Sequence, residues 1–288
     1  MSVGLSLADL IWLAGALMVA GAVTGVLAGV FGVGGGAILV PVLYELFQLV
    51  GVPLEARMPL CVGTSLAIII PTSIRSYRAH RARGAVDASV LRQWAIPVVA
   101  GVALGSLIAR VAPEFLFKLV FVVVAGVSAV RLLFGRESWR IAEDFPRGPL
   151  MKLYGLAIGV LSTLMGIGGG QLSNLLMTFY GRPIHQAVAT SSGLGVLISI
   201  PGALGYIYAG WPKAAELPQV VALQFPFALG YVSLIGALVV MPASMLTAPL
   251  GVKLAHALSK RRLEVAFGLF LVLVCARFAV SLAAGALR

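Results

Sequence analysis

Residues 25–42 read GVLAGVFGVGGGAILVPV, and residues 159–177 read GVLSTLMGIGGGQLSNLLM. Gly25 aligns with Gly159, and Gly34, Gly35 and Gly36 align with Gly168, Gly169 and Gly170, all at an offset of 134 residues. Each copy is an apolar stretch broken by Gly-x-Gly-Gly-Gly. The first lies in an apolar block spanning residues 7–50. That block is too long for one membrane span of about 20 residues. Lipid tolerates broken backbone only where protein or a water-filled cavity covers it. The block is therefore expected to form two helical pieces meeting at Gly32–Gly36, and the block 153–180 a shorter version of the same.

Working outward, the whole chain has membrane character. Of 288 residues, 60% are hydrophobic and 11% charged, with a mean hydropathy of +1.04. Soluble domains are nearer a quarter charged. The formal charge of +11 would suggest nucleic acid in a soluble protein. Here Arg and Lys cluster between apolar blocks, as in cytoplasmic loops beside anionic lipid, and no nucleic-acid partner is expected. The cysteines, Cys61 and Cys275, lie in apolar segments without metal or disulfide spacing, and no cofactor is expected. The first basic residue is Arg57, so the N-terminal apolar stretch lacks the basic region of a secretory leader.

The duplication extends along the chain. Gly63-Thr64-Ser65 matches Ala189-Thr190-Ser191 at an offset of 126, and Gly105, Phe121 and Arg131 match Gly251, Phe267 and Arg277 at 146. Residues 1–134 form a first transmembrane repeat, 135–152 a cytoplasmic linker and 153–288 a second repeat. The further blocks are 59–79, 90–111 and 115–134, then 187–209, 219–250 and 263–285. Loop charge sets their relative orientation. Arg75, Arg78, Arg81, Arg83 and Arg92 surround the loop between blocks two and three of the first repeat; the equivalent loop of the second has only Lys213. Between blocks three and four the bias reverses, with Lys253, Lys260, Arg261 and Arg262 against Arg110 and Lys118. Positive loops stay in the cytoplasm. Equivalent loops therefore face opposite sides, and an all-α polytopic membrane protein of two inverted-topology repeats is expected. Three full passes per repeat then require each glycine-broken block to enter and leave on one side, as a re-entrant or hairpin pair. This places 15 of the 21 basic residues inside and both termini outside.

A helix that restarts after glycines exposes unpaired N–H groups at the positive end of its dipole, which attracts anions. Inverted-repeat transporters place such ends near the midplane. The candidate ligands are the backbone groups of Gly34, Gly35, Gly36, Gly168, Gly169 and Gly170, with side chains of Thr64, Ser65, Gln171, Asn174, Thr190 and Ser191. Polar residues follow only the second break, so side-chain donors should be asymmetric. Hydroxyls on membrane helices also bond their own i−4 carbonyls, and glycines also serve tight helix packing; both alternatives stand at this point. Arg75 and Arg78 fit a cytoplasmic mouth or simple topology signals, Arg277 an intramembrane charge or a snorkelling one, and Cys61 the site or the core.

No His-Glu-x-x-His, Gly-x-Ser-x-Gly or mid-membrane carboxylate pair occurs, so an enzyme is not expected. Nor is an acidic proton relay evident. An inside-negative potential of 100 mV drives each negative charge outward by about 2.3 kcal/mol, which favours export of an anion. A proton-coupled importer and a non-transporting membrane subunit remain open.

The chain resembles the TauE/SafE family of bacterial membrane proteins. The resemblance rests on GVFGVGGGAILVPVL, CVGTSLA and HRARGAVD in the first repeat, and on GIGGGQLSNLLM, AVATSSGLG and MPASMLTAPLGVKLAH in the second. It implies an inner-membrane exporter of sulfite, organosulfonate or a related sulfur-containing anion.

Overall fold

The computed structural model describes residues 7–31, 36–49, 51–135, 141–142, 145–146, 148–216, 228–257 and 260–286. The first half of the chain contributes α1 (Leu7–Phe31), α2 (Gly36–Leu49), α3 (Leu54–Ala82), α4 (Ala88–Val111) and α5 (Glu114–Phe134). The second contributes α6 (Pro149–Met165), α7 (Gly170–Phe179), α8 (Ile184–Glu216), a short hairpin of β1 (Ala228–Leu229) and β2 (Val232–Ser233), α9 (Leu234–Ala257) and α10 (Lys260–Ala286). Both apolar blocks do break at their glycines. Among the described residues, six helical stretches are long and apolar enough to cross a membrane: Leu54–Ala82, Ala88–Val111, Glu114–Phe134, His185–Trp211, Leu234–Gly251 and Glu264–Ala283. Their outer faces carry Ile96, Val111, Leu238 and Leu273, each at least 70% exposed, as a lipid-facing surface requires.

One block differs from expectation. The apolar run 219–250 reads as a single span, but α9 starts only at Leu234, and residues 217–227 lie outside the described ones. Gly230, at φ +56°, turns the hairpin, and Tyr231 N–H donates to the Tyr206 carbonyl at 3.1 Å. The hairpin thereby packs on α8 instead of extending α9.

The halves are built alike, residue by residue. α1 lies parallel to α9, with Gly25 against Ser244 and Thr247. α6 lies parallel to α4, with Gly159 against Val98 and Gly101. These are the same contacts displaced by the offsets 134 and 146. A Cβ on Gly25 or Gly101 would sit 2.2 Å from the facing helix, the close backbone approach that small residues allow in membranes. By contrast, α3 and α8, which occupy matching positions, run antiparallel: Gly63 meets Tyr206, Gly202 meets Leu66, and Gly195 meets Ser73. α5 and α10 are also antiparallel, with Phe121 on Phe278 and Arg261 donating to the Leu132 carbonyl.

These registers collect Arg75, Arg78, Arg81, Arg83, Arg92, Arg131, Lys152, Arg182, Arg261 and Arg262 at one end of the bundle. Arg57, Arg110, Lys118 and Arg277 lie at the other. The broken pairs then fold back from opposite ends. α7 returns to the start of α6, where the Tyr180 and Tyr154 hydroxyls are 2.8 Å apart and Phe145 stacks on Tyr180. α2 runs to the far end, where Glu45 pairs with Arg277 at 3.1 Å. Arg131, the repeat partner of Arg277, holds α7 instead, through the Leu175 carbonyl at 3.2 Å and the Phe179 ring.

Thr64 and Thr190 join the halves. The Thr190 hydroxyl accepts from the backbone N–H of Asp87 at 2.9 Å, and the Thr64 hydroxyl from that of Ser233 at 2.9 Å. Asp87 and Ser233 immediately precede α4 and α9, and their side chains accept from Val90 and Gly236 N–H respectively, as N-caps do. Burial raises the Asp87 carboxyl, but bonds from Ser89 and Val90 and the charge of Arg182 outweigh it and leave it below its ordinary value.

Two outcomes are expected in thermal unfolding of the purified protein. Gly101→Val forces a side chain into the α4–α6 seam and should cost about 1–3 kcal/mol, with Gly25→Val doing the same on α1–α9. Thr64→Val and Thr190→Val each strand a buried N–H at a helix start and should cost about 1–3 kcal/mol, while the serine variants retain stability. Unchanged melting in the valine variants would overturn the assigned roles.

Candidate functional site

The two hairpin tips meet inside the bundle. Gly36 opens α2 and lies directly on the second break: a Cβ there would be 2.6 Å from the Gly166 carbonyl oxygen and 2.8 Å from the Ile167 Cα. Only glycine fits such an approach. Gly34 and Gly35 lie outside the described residues.

The second break is resolved atom by atom. α6 ends at Met165, and Ile167 N–H bonds back to the Ser162 carbonyl at 3.0 Å. The chain then turns at Gly169, whose left-handed φ of +75° and 2.3 Å would-be contact with Ile198 exclude a side chain. α7 starts immediately after it, and no side chain caps that start. Its first-turn N–H groups are therefore left facing the break, with the positive end of the α7 dipole beside them. Ser173 lies a turn along and returns its hydroxyl to the Gly169 carbonyl at 2.5 Å.

Around this tip the structure gathers polar groups from α3 and from the broken pair itself. Ser65 on α3 donates to the Gly166 carbonyl at 2.8 Å. Ser73 on α3 lines the contact between Gly168 and Gly195. Ser162 on α6 lies behind Gly169, fully buried and without a hydrogen-bond partner. Gln171, at the first turn of α7, is 6% exposed, and neither its amide nitrogen nor its carbonyl oxygen has a partner among the described residues. Leaving a buried donor or acceptor unpaired costs about 1–3 kcal/mol, so an orphaned buried amide at an uncapped helix start is a polar site wanting a ligand or water. No carboxylate is among these groups.

The sequence candidates divide accordingly. Gly36, Ser65, Gly168, Gly169, Gly170 and Gln171 come together at the meeting of the tips. Asn174 and Ser191 form a pair of their own, Ser191 donating to Asn174 Oδ1 at 2.5 Å, which ties α7 to α8. Thr64 and Thr190 are buried, and their acceptor sites serve the starts of α9 and α4. Cys61 is a buried free thiol in the core, and Arg277 is half-exposed in its ion pair with Glu45. Sequence alone does not single out Ser73 and Ser199. They recur at the same offset of 126 as Thr64 and Thr190, and Ser199 is fully buried without a partner. It also passes over Lys118. That side chain is 4% exposed, held by Glu114 at 2.9 Å and Ser281 at 2.7 Å, at the first turn of α5 and away from the break.

A family model for the sulfite exporter TauE/SafE matches residues 17–278. A probable membrane transporter protein of Haemophilus influenzae is 31% identical over 89% of this chain and 94% of its own length. One of Methanocaldococcus jannaschii is 26% identical over the same shares, and the probable membrane transporter protein YunE of Bacillus subtilis is 25% identical over 67% of this chain and 78% of its own. No solved structure matches. The matched relatives all carry the name of probable membrane transporter proteins. With its glycine-broken helices and multiple apolar spans, this multi-pass membrane protein belongs to the TauE/SafE sulfite exporter family.

Proposed function

We propose that the chain exports a small sulfur-containing anion, sulfite or an organosulfonate, by alternating access, binding it where the two hairpin tips meet. The observation that carries this is Gln171. A buried amide with both atoms unpaired stands beside uncapped N–H groups, and those N–H groups favour negative charge. The ligands are the backbone of Gly168, Gly169 and Gly170 and the side chain of Gln171, with Gly36 against the same break from the first repeat; Gly34 and Gly35, the other two candidates there, lie outside the described residues. Ser65, Asn174 and Ser191 hold the tip in place, and Thr64 and Thr190 set the helices around it.

The sulfur chemistry is supported by the family description, not by the site, which specifies only a small anion. Outward movement is favoured by the membrane potential, at about 2.3 kcal/mol per charge for 100 mV, and by the absence of carboxylates around the break among the described residues. Inverted repeats are supported by the antiparallel packing of α3 on α8 and α5 on α10, since a two-fold relating antiparallel partners lies across their axes. The basic end is the cytoplasmic one by loop charge, in an inner membrane, with both termini outside.

Two measurements test this reading. In purified protein, Gly169→Ala and Gln171→Leu should weaken sulfite or alkanesulfonate binding at least about tenfold, roughly 1.4 kcal/mol, in a titration on protein that remains monodisperse. Wild-type affinity in both would remove the site. Separately, a tag on the N-terminus should be reached by a membrane-impermeant reagent in whole cells; a cytoplasmic tag would overturn the orientation.

A further inference from the structure

A cavity of about 470 Å³ opens at the basic end, between the end of α3, the start of α4 and the first third of α8. This is within the usual range for small-molecule pockets. Its walls are of two kinds. Arg81 and Arg92 stand at the rim, both exposed, and neither pairs with a carboxylate among the described residues. The nearest acid, Asp87, is committed to the start of α4. Below them the lining is apolar: Leu91 from α4, and Val196 and Leu197 from α8. Paired cations over an apolar wall fit an anionic head on an apolar body. A bare inorganic oxyanion would leave the lower walls unused.

The floor of the cavity is a single aromatic contact. A Cβ on Gly193 would lie 3.0 Å from both Cδ2 and Cε2 of Tyr77 and 3.0 Å from Leu91 Cδ2, so the tyrosine ring is seated against the glycine. One turn further along α3 is Ser73, against Gly195 and Gly168. The Tyr77–Gly193 contact therefore lies between the cavity and the packing of Ser73 and Gly195 on Gly168 at the glycine break. The cavity is also confined to one end. At the offsets 126 and 146, the positions matching Tyr77, Arg81 and Arg92 are Ala203, Ile207 and Leu238. The duplicated fold does not by itself create a basic, aromatic-floored chamber.

We propose that this cavity binds a soluble organic anion, with its charged head between Arg81 and Arg92 and its apolar body on Leu91, Val196 and Leu197, and that Tyr77 seated on Gly193 closes it from the break. This deepens the transport reading and rests on it: the cavity is the antechamber of the anion site, and the tyrosine is the gate between them.

The test uses cysteine reactivity in full-length protein carrying Cys61→Ala and Cys275→Ala, in nanodiscs of neutral phosphatidylcholine. Val196→Cys should react at least about tenfold faster with a negatively charged methanethiosulfonate than with a positively charged one. Arg81→Gln with Arg92→Gln should abolish the preference, and 1-butanesulfonate should protect the thiol. Equal rates for the two reagents, or protection by phosphatidylglycerol but not by butanesulfonate, would overturn the site, the latter in favour of a lipid. For the gate, Ser73→Cys should be unreactive with Tyr77 or with Tyr77→Phe, and should react with Tyr77→Ala. Equal reactivity in all three would overturn the gate. These readouts do not require transport. A labelled cavity and gate in a protein that binds no anion at Gln171 would leave the antechamber standing and remove the transport reading instead.

Discussion

The structure depends on one backbone contact in the middle of an apolar bundle, Gly36 on the carbonyl of Gly166. Lipid offers no hydrogen bonds, so a broken helix survives in a membrane only when protein surrounds the break. Each hairpin supplies part of that surround for the other. Ser65 takes the Gly166 carbonyl, Ile167 and Ser173 return bonds across the turn, and the helices behind close in on glycine seams. Among the described residues at the tip, the groups left unpaired are the first N–H groups of α7, the Gln171 amide and the Ser162 hydroxyl. The unsatisfied set lies at the positive end of a helix and has no acid beside it. Its placement is thus economical in physical terms, since packing and hydrogen bonding elsewhere hold open a small polar spot that the surrounding apolar core would otherwise exclude.

Much of this was legible in the chain itself. An apolar block of residues 7–50 could not be one span, so the break in the first repeat followed from length, and the matching glycines located the second. The distribution of arginine and lysine among the loops leads to an expectation of inverted repeats, and the antiparallel packing of α3 on α8 and of α5 on α10 is consistent with it. What could not be read was pairing between distant residues. Thr64 and Thr190 look alike as ligands or as structural hydroxyls until Ser233 and Asp87 are seen beside them. The hairpin before α9 stayed hidden because FALGYV, up to Ser233, is an apolar run without strand alternation. Ser162 and Ser199 are isolated hydroxyls in apolar runs, and their lack of partners is a property of the packed core alone.

The matching of the halves is closest in the seams and loosest at the ends. Gly25 on Ser244 repeats as Gly159 on Val98, because close backbone approach tolerates few alternatives. At the bundle ends the constraint relaxes and the halves diverge: Arg81 and Arg92 have no charged counterparts in Ile207 and Leu238. The pair of arginines that grip the short helices shows the same divergence. Arg131 holds α7 by a main-chain carbonyl and a phenyl ring, whereas Arg277 holds α2 by the Glu45 carboxylate, with both side chains about half exposed.

That last difference means the two faces of the molecule do not sense their surroundings equally. An exposed ion pair weakens as dissolved ions screen it, while a carbonyl and an aromatic ring carry no net charge to screen. The ionic strength of the fluid at the Arg277 end therefore bears more directly on the α2 contact than the fluid at the opposite end does on the carbonyl and ring contacts of α7. Two structurally related arms thus answer to different media, and the chain carries a built-in distinction between the compartments it separates.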